Sequence, residues 1–407
     1  AQRGEKPLLR HHYGRPTLEE TEKGIRRIAR AEVLDILSLG PDHNAQLAFF
    51  RPAERDPMQD GAGGVPVRRA GDLVRLYAAA QGGNYPLMRC YSGTIDVFRF
   101  AEVLLNTIRN AWCAVPLFWY NVLDGRGPRG LEESIRDAQE LMCWHAERNV
   151  PVEVNESHHW SLRDAHDTVA VAAAYLAAYN ARAAGVRHYV SQYMFNTPPG
   201  TSGVMDLAKM MAKDEMISSL ASGSFCIYRQ TRAGLFSFPP DPDMARGQLA
   251  YSTVLQMAMD PDIMHVVSFS EADHAATEDD VIASCRLVNQ VIDRHLDGFP
   301  DVCSDERVLV RRDELMREAK RLLDAIASLG EGASDPLADS ATLAEAVRRG
   351  YLDAPHLAGN PAACGQLQTR IIEGRCVAVD ADGGDPVSED ARIFRLDQDR
   401  QGMYHPD

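Results

Sequence analysis

The chain has 407 residues and a mass of 44.9 kDa, too long for one small domain and suited to a single (β/α)8 barrel with additions, a fold of about 200 to over 400 residues. An apolar fraction of 45% and a charged fraction of 25% exclude whole-chain disorder and collagen-like or coiled-coil architectures. Forty-three basic against 58 acidic residues give a net charge of -15, which argues against nucleic-acid binding by phosphate neutralisation and against anionic membrane surfaces.

The longest apolar stretch, Val169–Ala178, is interrupted by Tyr179 and Asn180, short of the roughly 20 residues of a membrane span. The N-terminus, AQRGEKPLLRHHYGRP, is polar and basic and lacks the apolar core of a secretory signal. Cys90, Cys113, Cys143, Cys226, Cys285, Cys303, Cys364 and Cys376 are scattered without a CxxC, so they read as reduced cysteines of a cytoplasmic protein.

Residues 1–70 read as an N-terminal helical extension with a loop. Thr17 is a candidate N-cap for an amphipathic helix from Leu18 through EETEKGIRRIARAEVLDIL, followed by a Gly/Pro/Asp-rich connection over 51–65. Residues 71–300 alternate short apolar runs with helical patterns. The runs are Tyr85–Arg89, Cys113–Tyr120, Val150–Val154, Arg187–Gln192, Ser224–Tyr228 and Ile263–Phe269. Helical patterns fall near 94–109, 130–147, 163–184, 201–221, 244–259 and 277–296. Such alternation predicts a parallel sheet with crossover helices, hence an α/β fold and a (β/α)8 TIM barrel, with a doubly wound open sheet as the alternative. Two further strands are expected near Val33–Leu37 and Gln46–Phe50, or around Val67. Residues 301–407 form a small α+β appendage, with helices at Glu314–Leu329 and Leu343–Arg349 and strand-like runs at Cys376–Val379 and Arg392–Leu396.

Polar residues end strand after strand, where barrel active sites form. Arg89 and Tyr91 end the first legible strand, and Arg89 is the leading candidate for a carboxylate clamp, since its planar fork matches a carboxylate. Gly125-Arg-Gly-Pro-Arg-Gly130 is a literal GxGxxG between a strand and a helix. Its mid-chain position favours a barrel loop presenting Arg126 and Arg129 to a carboxylate or phosphate, near Asn121; a solvated loop is the bland alternative. Glu153, Asn155, Glu156, His158 and His159 cluster after Val150–Val154. Acid/base work by Glu153, Glu156 and His158 is favoured over metal binding, because adjacent histidines point in different directions. Gln192, Tyr193 and Asn196 end one later strand, and Glu271, Asp273 and His274 another. Asp293-Arg-His-Leu-Asp-Gly298 fits the cobalamin-ligating DxHxxG pattern but ends a helix, so it reads as accidental.

The stretches PLMRCYSGTID, YNVLDGRGPRGLEESIRDAQ, MFNTPPGTSGVMDLAKMMAKDEMI and the tail LMREAKRLLDAIASLGEG…RRGYLDAPHLAGNPAACG together resemble the large, barrel subunit of adenosylcobalamin-dependent glutamate mutase (methylaspartate mutase). More distantly, they resemble the barrel subunits of lysine and ornithine aminomutases. The resemblance covers roughly residues 17 to 375 and implies a (β/α)8 barrel capping a small separate subunit that carries the cobalamin. A 5′-deoxyadenosyl radical would then take a hydrogen from a carboxylate-bearing, amino-acid-like substrate in the barrel mouth. By resemblance, Arg89 matches the family's strand-end arginine and Arg126 or Arg129 its second. A third, expected within VEVNES, is absent. Tyr175 and Tyr179 are approximate counterparts of tyrosines at the substrate amino group. The lysine contacting the adenosyl ribose falls near Thr277–Glu278, so Glu271, His274 and Glu278 become the cofactor-side candidates. These departures point to a substrate other than glutamate. The implied assembly is a heteromer with the small subunit, with a homodimer as a candidate addition. Two competing readings remain: a cobalamin-independent barrel lyase or oxidoreductase using Gly125–Gly130 for a phosphate or nucleotide, and a non-catalytic mutase homologue.

Overall fold

The computed structural model describes residues 6–91, 93, 95–380 and 384–402, without the side chains of 157 and 399–402. Eight parallel strands form one sheet: β1 (Leu8–Tyr13), β2 (Ile36–Leu39), β3 (Leu87–Arg89), β4 (Cys113–Val115), β5 (Val152–Val154), β6 (His188–Phe195), β7 (Cys226–Ala233) and β8 (Ile263–His265). The sheet order is β3-β2-β1-β8-β7-β6-β5-β4. Ahead of β4, Ala111 N donates to Met88 O of β3 at 2.9 Å, which brings the two ends of that order together. The fold is a (β/α)8 barrel.

Two units divide the chain. The first comprises residues 1–115, 144–153 and 228–300. Its helices are α1 (Leu18–Ala31), α2 (His43–Ala48), α3 (Ala70–Ala80) and α4 (Val97–Ile108), with α9 (Pro242–Met257) and α10 (Glu278–Leu296) later in the chain. Thr17 caps α1 as expected, its hydroxyl accepting from Glu20 N. The helix stops at Ala31, earlier than its apolar pattern suggests. Glu32 takes a left-handed conformation (φ 54°) and the following EVLDIL feeds β2. The core of this unit joins Leu9, Leu37 and Met264 of the strands to Ile25, Ile28, Leu73, Leu104 and Val288 of the helices.

The expected strand near Val33–Leu37 is β2, shifted by a few residues. Gln46–Phe50 is not a strand, because Asp42 accepts from Ala45 N and starts α2 across that segment. Val67 lies in the connection before α3. The remaining strand is β1, LLRHHY, which pairs with both β2 and β8. No apolar run announces it, because Arg10, His11 and His12 occupy positions where a barrel strand normally carries aliphatic residues.

The second unit comprises residues 116–143, 154–227 and 301–407. It holds most of α5 (Leu131–Ala146), then α6 (Ser157–Ser161), α7 (Asp167–Ala183), α8 (Gly203–Ser218), α11 (Glu306–Ala327), α12 (Ser340–Arg348), the antiparallel hairpin β9 (Gln368–Ile372) and β10 (Arg375–Val379), and α13 (Glu389–Gly402). Helix α11 packs across α7 and α8. This second layer explains why α7, DTVAVAAAYLAAYNARA, is apolar and buried nearly all round. The run Arg392–Leu396 is helical rather than a strand. Glu389, Arg392, Ile393 and Leu396 return to one side with helical spacing, and Arg392 Nη2 donates to Glu389 Oε1 at 2.6 Å. His166 Nε2 meets Glu389 Oε2 at 2.9 Å and ties α13 to the start of α7. All eight cysteines are free thiols. Among the described residues, no helix is long and apolar enough to cross a membrane.

Candidate active site

In the first unit, six strands and the segment ahead of β4 converge on one buried polar cluster. Its centre is Glu153 of β5, fully buried. Glu153 Oε2 accepts from Arg10 Nη1 (β1) at 3.1 Å, Arg89 Nη2 (β3) at 3.1 Å and Trp112 Nε1 at 2.6 Å. The two guanidinium carbons lie 5.5 and 5.6 Å from the Trp112 ring centroid. Arg10 also donates through Nε to Ser38 Oγ of β2 (2.7 Å) and through Nη1 to Gln230 Oε1 of β7 (2.6 Å). Its Nη2 lies 3.0 Å from Nε2 of His12. Partners on β5 and β7, neither adjacent to β1, are reachable from it only across the barrel interior, so Arg10 points inward. His12, two residues on, shares that face.

Burial alone would raise the Glu153 carboxyl, but Arg89 and Arg10 hold it below its ordinary range, as an anion. Burial and the Arg89 charge lower the pKa of Arg10. His12 and His265 of β8, with ring centroids 4.8 Å apart, are driven far down by burial first and the Arg10 charge second, so both rings are neutral. His11 is also lowered, chiefly by burial, and its Nε2 lies 3.4 Å from Glu271 Oε1. Four buried polar atoms of this cluster have no hydrogen-bond partner among the described residues: Arg89 Nε, Glu153 Oε1, Gln230 Nε2 and His265 Nδ1. Buried polar groups are overwhelmingly satisfied, so such atoms mark a place for something polar.

In the second unit, Glu156 follows β5 and is also fully buried. Its Oε2 accepts from Leu117 N (2.9 Å) and Phe118 N (3.2 Å), and its Oε1 from Trp160 Nε1 (2.9 Å). Burial outweighs these donors and pushes the carboxyl up to about 8. Around it stand Trp119 and Trp160, centroids 4.8 Å apart, and the mutually tilted rings of His158 and His159 at 4.4 Å. Asn155, Gln192 and Asn196 are buried, each with a side-chain oxygen lacking a partner.

Other expected residues lie elsewhere. The Asn121 amide is tied at both ends to its own turn, donating to Phe118 O (3.0 Å) and accepting from Leu123 N (2.8 Å). Arg129 turns back onto Asp137 of α5 at 2.6 Å, and Arg126, half exposed, lies over Tyr120. Tyr193 donates to Asp214 of α8 at 2.9 Å, between sheet and helix and on the strand face opposite Gln192. Tyr91 is half-buried in the loop after β3. Tyr175 and Tyr179 lie side by side on α7, tilted, with centroids 5.8 Å apart, and Tyr179 donates to Asp335. His274 is exposed between Asp273 (2.8 Å) and Asp280 (3.2 Å). Glu278 accepts from Tyr13 and Arg27 at the start of α10. His295 of the DxHxxG match is in α10 and stacks on Phe299 at 5.1 Å, so it is not presented on a strand-end loop as a cobalt ligand would be. Among the described residues, no cluster of three or more His, Cys, Asp or Glu side chains is arranged to hold a metal ion.

Sequence reasoning identified Arg89 and Glu153 but not their neighbours Arg10, His12, Trp112, Gln230 and His265. The one available signal was the run of polar residues within LLRHHY and CIYRQTRA.

A (β/α)8 barrel whose interior carries a carboxylate between two guanidiniums, with unsatisfied polar atoms beside them, has the character of a small-molecule enzyme. A family model described as methylaspartate mutase E chain (MutE) matches residues 93–400. The chain belongs to this family, the large subunits of glutamate (methylaspartate) mutase, which are isomerases of a cobalamin-dependent system. The match starts after β3, so β1 to β3 with Arg10, His12 and Arg89 lie outside it. No curated protein matches the chain.

Proposed function

We propose that the chain is the substrate-binding barrel subunit of an adenosylcobalamin-dependent radical isomerase acting on a carboxylate-bearing, amino-acid-like substrate. One observation carries the substrate class. Among the described residues, Arg89 Nε is a buried donor without an acceptor, and Glu153 Oε1 is a buried acceptor without a donor, in one hydrogen-bonded cluster. A zwitterion supplies both missing partners, its carboxylate to the arginine and its ammonium to the glutamate. Arg89, Arg10 and Trp112 keep Glu153 ionised and in place. Adenosylcobalamin, carried by a small partner subunit, would supply the hydrogen-abstracting radical when bound. His295 of the DxHxxG match lies within α10 rather than on a strand-end loop, which supports placing the corrinoid on the partner.

The test is copurification with a small cobalamin-binding subunit, followed by an anaerobic adenosylcobalamin spectrum. A corrinoid retained by the pair and absent from either chain alone is the expected result. A pair that fails to assemble and binds no corrinoid would overturn the reading.

A further inference from the structure

We propose that His12 is a substrate-contacting residue: its Nδ1–H donates a hydrogen bond to a carboxylate oxygen of the molecule bound in the barrel. The inference rests on the functional reading above and adds a specificity-determining residue on a strand outside the family match.

Four observations lead there. His12 faces the barrel interior with Arg10, because the two are two residues apart on β1 and their side chains meet at 3.0 Å. It keeps accessible surface, whereas Arg10, His11, Arg89, Glu153 and His265 around it are buried. Within an interior cluster, accessible surface means the ring borders open space. Its tautomer is fixed. Arg10 Nη2 can only donate, so His12 Nε2 accepts and the ring proton of the neutral form sits on Nδ1. That Nδ1–H meets no acceptor among the described residues. Nearby, Arg89 Nε is another buried donor with no acceptor among the described residues, and the ring of His265, tilted against His12, has an Nδ1 without a partner among them.

The charges decide what the ligand presents. Glu153 already lies between Arg10 and Arg89, so the arginine pair carries one net positive charge rather than two. Among the described residues, the side-chain hydrogen bonds of Arg10 go to Ser38, Glu153, Gln230 and His12. An incoming carboxylate is therefore met by Arg89 and by an uncharged donor. His12 stays uncharged because burial and the charges of Arg10, Arg89 and Arg232 all oppose its protonation. The facing groups on the packed elements are His265 of β8, also neutral, and His11 with Glu271. The site thus suits a single carboxylate at this point.

The test uses the full chain labelled with 15N-histidine, the His12 signals being assigned by their loss in His12→Asn. Expected are neutral-ring shifts with the proton on Nδ1 from pH 5.5 to 8, and displacement of the Nδ1–H signal by acetate, L-glutamate or 3-methylaspartate. In calorimetric titration with whichever of these binds, His12→Phe should weaken binding at least tenfold. His12→Asn, whose amide nitrogen replaces Nδ1, should recover most of it. A merely structural His12 would show neither the ligand-dependent shift nor the rescue. A proton on Nε2, a charged ring at pH 6, no displacement by any of the three carboxylates, or equal binding by wild type and His12→Phe would each overturn the proposal. None of these results bears on corrinoid capture by the subunit pair, so failure here is distinguishable from failure of the isomerase reading.

Discussion

Nη2 of Arg89 donates to Oε2 of Glu153 across 3.1 Å, both side chains being at most 1% exposed, and Arg10 reaches the same oxygen from β1. One carboxylate oxygen thus fastens three strands at the barrel centre. Removing one partner from a buried ion pair leaves the other charge uncompensated, at a typical cost of about 3–5 kcal/mol. Glu153→Ala is expected to lower unfolding stability by that order, because two guanidiniums then lose their counter-charge. Glu153→Gln should cost less, as its amide oxygen still accepts. Urea unfolding of the three proteins decides the matter. A loss below about 1 kcal/mol for Glu153→Ala would mean that water or an anion takes over the pairing.

The legible and illegible parts of this cluster differ for a physical reason. Arg89 and Glu153 could be singled out because each ends a short apolar run, and strand ends are where barrels place function. That they touch follows from register and barrel closure, which no local pattern encodes. Arg10 and His12 were hidden because β1 has polar residues facing inward, so the alternation that reveals a strand is absent. Thr17 was readable as a cap because capping is local chemistry. The helical nature of Arg392–Leu396 was not, since Glu389, His166 and Arg392 come together only in the folded chain.

Glu156 makes stability depend on pH in a defined window. Its folded-state pKa, raised to about 8 by burial, lies above that of an unfolded glutamate near 4.3. The folded chain therefore holds a proton that the unfolded chain releases. This contribution is fully present below about pH 4 and is lost as pH rises towards 8, with a limiting slope of about 1.4 kcal/mol per pH unit. Glu156→Gln should flatten that decline, whatever its effect on absolute stability. Denaturant midpoints for both proteins from pH 5 to 8 provide the measurement. Parallel curves would show that Leu117 N, Phe118 N and Trp160 keep the carboxylate ionised.

The Gly125–Gly130 loop should not bind dinucleotides. Val122 N donates to Arg129 O at 3.2 Å and Arg129 is held by Asp137, so the segment closes on itself as a turn. Adding NADH or ATP at millimolar concentration is expected to leave the melting temperature unchanged. Arg126→Ala, at a half-exposed position, should alter stability by no more than about 0.5 kcal/mol. Stabilisation by nucleotide that disappears in Arg126→Ala would instead support a phosphate site and the cobalamin-independent reading.

Lys209 and Lys213, one turn apart on α8, are both buried and titrate in opposite senses. Lys209 donates to Thr197 O at 2.6 Å and lies 3.2 and 3.3 Å from carboxylate oxygens of Asp206 and Asp167. Burial opposes its charge, but the two carboxylates overcome that and keep it protonated. Lys213 is lowered to about 7, by burial first and by the Lys209 charge second. An unfolded lysine holds its proton to about pH 10.4, so between 7 and that value the unfolded chain binds the extra proton. Stability from this group therefore rises with pH across the window, and the penalty for burying its charge is greatest at pH 7 and below. Lys213→Met should stabilise the protein most near pH 6.5, with the advantage shrinking by up to about 1.4 kcal/mol per pH unit towards pH 9. Lys209→Met should be destabilising throughout, because Asp167 and Asp206 lose the cation between them. Urea unfolding of both variants at pH 6.5, 7.5 and 9 separates the two lysines. A constant offset for Lys213→Met would show that its ammonium stays charged beside Lys209.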